Sequence, residues 1–217
     1  MLPGSRKQKI VEAITAICAW AGLTLQLYIL LSNVPENGLT YLQAIARFFG
    51  YYTILTNLLV AINLSCLLFL PGSRAGKFFA SYSVHTAIML NILLVGLGYN
   101  LLLRNTWNPE GLQRIVDELL HVVVPAFYLF YWLFIRTKER IQWRSLITWL
   151  AYPLLYMCYA LARGTYENWY PYFFIDANKL GYSSVLKNCS GLIIVFIILG
   201  ALSIAIANTV SSKRKNN

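Results

Sequence analysis

The chain has 217 residues, of which 58% are hydrophobic and 12% charged, with a mean hydropathy of +0.57 and a formal net charge of +10. A water-soluble domain carries roughly 25% charged residues, so this composition belongs to lipid rather than to water. The basic excess excludes less by itself, but its Lys and Arg sit in short segments between apolar runs, not on one solvated face with aromatics between them, which argues against nucleic acid as a partner.

A helix needs about 20 apolar residues to cross the hydrocarbon core. Six segments meet that length: residues 9–31, 47–70, 78–103, 115–135, 143–162 and 189–207. The fold expected is therefore all-α, a six-transmembrane helix bundle forming one polytopic domain over residues 1–217. Arg6, Lys7 and Lys9 precede the first span, whose apolar run is too long for a cleaved leader, so it reads as a retained anchor. The turn residues Asn33 to Gly38 close it.

The second span carries Thr53, Thr56, Asn57 and Asn63 and ends at Pro71-Gly72. His85, Asn91 and Asn100 lie in the third, which a loop from Asn105 through Trp107 to Gly111 terminates. Asp117, Glu118 and His121 open the fourth. Between the fifth and sixth spans, Arg163 to Asn188 holds Tyr166, Trp169, Tyr170, Tyr172, Phe173 and Phe174. Aromatics at that density suit a lipid–water interface; they read first as an anchor, with a lid over a substrate as the other reading. The cysteines lack metal-type spacing, and Cys158 and Cys189, at the ends of two spans, read as free thiols rather than a disulfide. No zinc-binding, phosphate or dinucleotide motif occurs, so neither metal nor cofactor is expected. Internal repeats and paired interrupted spans are missing too, which disfavours transport.

Orientation follows from the basic residues. The amino-terminal segment, the second and fourth loops and the tail (Lys213, Arg214, Lys215) together hold twelve Lys and Arg against Glu12 and Glu139. The opposite side balances Arg47, Arg104, Arg114, Arg163, Lys179 and Lys187 against six carboxylates. Both termini are thus expected on the cytoplasmic side.

Polar side chains inside spans are costly and usually face the protein interior. Thr53 and His121 both lie about six residues below the same outer boundary, or ~9 Å at 1.5 Å per residue. Asn57 shares the face of Thr53 one turn on, and either Asp117 or Glu118 is within a turn of His121. Asn100 approaches the same level from the third span, whereas His85 sits near the opposite end and reads as bonded to a neighbouring helix. A hydroxyl, an imidazole and a carboxylate are the parts of a nucleophile, its base and the group that orients the base, with Asn57 or Asn100 as oxyanion donor. Threonine needs the base because its hydroxyl does not ionise at neutral pH.

The string Phe48-Phe49-Gly50-Tyr51-Tyr52-Thr53-Ile54-Leu55-Thr56-Asn57-Leu58-Leu59 resembles the threonine motif of the androgen-induced and androgen-dependent TFPI-regulating proteins, and His121-Val122-Val123-Val124-Pro125 resembles their histidine motif. The likeness is greater to the bacterial branch of that group, through Gly98 to Arg104, Asp117 to Trp132, Tyr152 to Tyr156 and Trp169 to Asp176. It implies a multi-pass hydrolase of fatty acid esters of hydroxy fatty acids in a bacterial inner membrane. Thr53 would be the nucleophile, with Thr56 as the competing motif threonine, and His121 its partner. A lipid or fatty ester is then the expected substrate, and Arg104 or Arg163 would meet its free carboxylate. The alternative from another class is a non-catalytic lipid- or small-molecule-binding membrane protein using the same residues.

Overall fold

The computed structural model describes residues 5–106 and 108–215. Trp107, assigned above to the loop after the third span, lies outside the described residues, as do the side chains of Arg214 and Lys215 in the basic tail. Among the described residues every regular element is helical and no strand forms. Six helices are long and apolar enough to cross a membrane: Arg6–Ser32, Tyr52–Phe69, Tyr82–Leu103, Gly111–Ile135, Ser145–Glu167 and Ala177–Lys213. They are called spans 1 to 6. The chain divides into two compact units, Met1–Thr137 and Lys138–Asn217.

In the first unit, spans 1 to 4 pack on one another. Ser5 caps span 1, its hydroxyl accepting from the Gln8 N–H at 3.2 Å. The expectation that span 2 begins at residue 47 is corrected. A separate helix, Tyr41–Phe48, precedes it, opened by a capping box in which Thr40 and Gln43 bond each other's backbone N–H groups. A tight turn then breaks the chain, with Gly50 N–H on the Arg47 carbonyl at 2.9 Å. Span 2 starts only at Tyr52, which puts Thr53 in its first turn. Span 3 also starts late, at Tyr82, because Ser73 caps a short helix, Arg74–Ala80, ahead of it.

Several polar groups buried at the other end of the first unit bond one another. Tyr131 donates to Glu12 at 2.5 Å, Gln8 donates to the same carboxylate oxygen at 2.9 Å, and Trp132 donates to Thr86 at 2.9 Å. His85 is fully buried there, its Nδ1 2.7 Å from the Tyr128 hydroxyl, which also reaches Asn63 at 2.9 Å.

The second unit holds spans 5 and 6. Its core joins Ala160, Ile175, Ala177, Val185 and Cys189. Gly164 leaves room for the Tyr170 ring, whose Cε1 would lie 2.0 Å from a Cβ at that position. The aromatic connection is shorter than the expected 163–188. Span 5 runs to Glu167, and Asp176 caps span 6, accepting from the Asn178 and Lys179 N–H groups at 3.2 and 3.3 Å. A short helical turn opens at Ala177 and is broken at Gly181 (φ 73°), and the continuous helix of span 6 runs on from there, still ahead of the expected start at residue 189. At its far end Asn208 bonds both the N–H and the carbonyl of Ile141, at 2.8 and 3.0 Å. Cys158 and Cys189 are both free thiols.

Candidate functional site

Span 4 is not a regular α-helix: it widens to π turns at Leu119–Val123 and at Tyr131–Ile135, and Pro125 bears on the first. Proline has no N–H, so within the span nothing reaches the His121 carbonyl at α spacing or the Leu120 carbonyl at π spacing. The backbone widens to a π turn over Leu119–Val123, closed by the Val124 N–H on the Leu119 carbonyl. Side chains from two neighbouring spans supply the missing donors. Asn57 of span 2 donates to the Leu120 carbonyl at 3.1 Å, and Asn100 of span 3 approaches the His121 carbonyl at 3.5 Å. Each amide also holds its own helix one turn back, Asn57 on the Thr53 carbonyl at 2.9 Å and Asn100 on the Gly96 carbonyl at 2.7 Å. Gly96 lets spans 3 and 4 approach, since a Cβ there would stand 3.0 Å from the Pro125 Cβ and 3.4 Å from the His121 carbonyl.

That clamp fixes His121 opposite Thr53. The Thr53 hydroxyl lies 3.3 Å from His121 Nε2. On the other side of the ring, Nδ1 is 2.9 Å from the Asp117 carbonyl and 3.2 Å from Asp117 Oδ1. Two acceptors at Nδ1 require its hydrogen there in neutral imidazole, which leaves the Nε2 lone pair for the Thr53 proton. The second oxygen of Asp117 accepts from the Tyr99 hydroxyl. Tyr99 also stacks on the imidazole, with ring centroids 4.2 Å apart and planes 21° from parallel. Thr53 is 7% exposed, and the side chains of Asp117 and His121 are 4% and 15% exposed. The hydroxyl–imidazole–carboxylate line is thus largely removed from solvent, where its interactions are strongest.

The residues singled out in the sequence therefore separate. Thr53, His121 and Asp117 meet. Glu118 does not join them, because Arg104 pairs with its carboxylate. Arg104 also donates to Asn100 Oδ1 at 2.6 Å and lies 5.8 Å from the Tyr99 ring centroid, so it borders the site already engaged. Asn57 and Asn100, expected as oxyanion donors, direct their amides to carbonyls of their own and the neighbouring helix. Arg163 belongs to the second unit, held by Glu167 at 2.7 and 2.8 Å and by the Tyr159 hydroxyl at 3.1 Å. Thr56 is fully buried, and the hydroxyl facing His121 is that of Thr53. Tyr99 was not singled out from sequence. Its signal was a phenol beside Asn100 in an apolar span, hidden among aromatics that read as interfacial.

Comparison with protein-family models, with curated proteins and with solved structures finds no match to this chain.

Proposed function

We propose that the protein is a membrane-embedded lipid ester hydrolase with Thr53 as nucleophile and His121 as its base. The observation that carries this reading is the line of contacts from the Thr53 hydroxyl to His121 Nε2 and from His121 Nδ1 to two oxygens of Asp117. The separation of 3.3 Å between Thr53 and His121 is longer than a strong hydrogen bond, and such bonds commonly tighten only when the reacting group is in place.

In the reaction, Thr53 Oγ1 attacks the ester carbonyl carbon while its proton moves to His121 Nε2. The tetrahedral species collapses, the alcohol leaves with the proton from the imidazolium, and the acyl group stays on Thr53. Water attacks that acyl group, gives its proton to His121, and the fatty acid leaves as Thr53 recovers its hydrogen. Asp117 stabilises the imidazolium in both halves. Because Thr53 sits in the first turn of span 2, the positive end of that helix's dipole favours the oxyanion. The resemblance to threonine hydrolases of fatty esters supports the substrate class, the likeness to their bacterial branch supports a bacterial inner membrane, and the charge asymmetry supports cytoplasmic termini.

Purified protein in lipid nanodiscs is expected to hydrolyse a long-chain fatty ester. Thr53→Ala and His121→Ala should each abolish turnover without lowering the unfolding temperature; full activity in either well-folded variant contradicts the mechanism. One observation favours a non-catalytic lipid binder, namely that the Asn57 and Asn100 amides are already committed to carbonyls. Lipid retained on purification with no ester turnover would select it.

A further inference from the structure

The helix Tyr41–Phe48 has two apolar faces, and only one is used inside the protein. Ala44 and Phe48 are buried, and the helix packs against span 1. Tyr41, Leu42, Ile45 and Phe49 point outward, and Leu42 is 77% exposed. These positions follow the helical repeat, so they form a stripe rather than a scatter. Its capping box starts the helix independently of the spans.

Eight residues extend about 12 Å, far short of the roughly 30 Å hydrocarbon core, so the helix does not cross. It is followed after a three-residue turn by Tyr52, where span 2 enters, and its level is therefore that of the membrane boundary. A face about 12 Å long and about 10 Å wide also falls well below the roughly 800 Å² per partner of a stable protein contact. Tyr41 and Arg47 are of the residue types that anchor at headgroup depth. Lipid is the occupant that fits all of these features.

We propose that Tyr41–Phe48 lies in the plane of the lipid interface and forms the sill over which a long-chain ester passes from the bilayer to Thr53. The sill role rests on the hydrolase reading, whereas the seat in lipid does not. Thr53 follows the helix by five residues, so an acyl chain lying along Leu42 and Ile45 leaves its ester group near the first turn of span 2.

Two measurements test this separately. In phosphatidylcholine vesicles, Leu42→Cys on a Cys158→Ser background, carrying an environment-sensitive fluorophore, should be quenched by spin-labelled lipid and little by aqueous iodide. Stronger quenching by iodide overturns the seat in lipid, and so does protection from both quenchers with cross-linking to a second copy. For the sill, the paired substitution Leu42→Asp and Ile45→Asp should lower turnover of a bilayer-borne long-chain ester on the order of tenfold, with hydrolysis of water-soluble p-nitrophenyl acetate unchanged. Equal loss on both substrates, or no loss on either, overturns it. Wild-type protein that hydrolyses neither ester refutes the hydrolase reading and the sill together, while the quenching result still decides where the helix lies.

Discussion

At the scale of single residues, the site depends on how His121 is held. Asp117 and Tyr99 constrain the ring from different directions, Asp117 at Nδ1 and Tyr99 across the ring face. Asp117→Asn keeps the shape but lets an amide hydrogen face Nδ1, which favours the wrong tautomer. Steady-state kinetics should show kcat lower by roughly 10²–10⁴-fold. Tyr99→Phe keeps the stacking and removes one hydrogen bond to a carboxylate, worth about 1.5–3 kcal/mol; kcat should fall by less than in Asp117→Asn, with KM little changed. Thr53, His121 and Asp117 were legible in the sequence because polar groups stand out in apolar spans and helical spacing brings them to one level. The choice between Asp117 and Glu118 was not legible, since both lie within a turn of His121. Arg104 settles it by drawing Glu118 away, a contact from another span that no local pattern encodes.

At the scale of elements, span 4 is shaped by an omission. Pro125 withholds one N–H, the backbone opens over Leu119–Val123, and Asn57 and Asn100 take over the exposed carbonyls. Pro125→Ala restores the donor and lets the helix close to α spacing, rotating His121 relative to Thr53. A displacement of about 1 Å at a reacting group costs roughly a hundredfold in rate, so turnover should fall by that order while the unfolding temperature does not. Equal activity in Pro125→Ala would show that the π turn is incidental. The role of the two asparagines was hidden for the same reason. Read as isolated polar residues they resemble oxyanion donors, and only the consequence of proline one helical turn beyond His121 shows where their hydrogens go. The helix Tyr41–Phe48 was missed because residues 41–46 fall between two apolar runs, and its last two residues read as the start of the run from Arg47 to Leu70. The turn at Gly50 divides it, and the capping box at Thr40 and Gln43 was the signal available.

At the scale of the whole molecule, six apolar helices account for the composition, and the distribution of basic residues is the ground for the proposed direction. If the charge asymmetry orients the chain, Ser5→Cys and Ser212→Cys should each be protected from a membrane-impermeant maleimide in intact cells and become reactive in inverted vesicles. Reaction of either in intact cells would reverse or break the proposed topology. The number of spans was readable because hydrophobic length is a property of the sequence itself. Their ends were not, since Asp176, Ser73 and Thr40 move them through caps of a few residues each. With Thr53 and His121 at the end of the first unit opposite Glu12 and His85, the proposed topology puts this pair on the extracytoplasmic side.

The most direct test of an activated Thr53 is covalent. Protein in nanodiscs treated with a long-chain fluorophosphonate should gain one adduct, mapped by peptide mass spectrometry to Thr53, and His121→Ala should prevent its formation. An adduct on Thr56 or elsewhere, or labelling of Thr53 that persists in His121→Ala, would contradict the pairing of that alcohol with that imidazole.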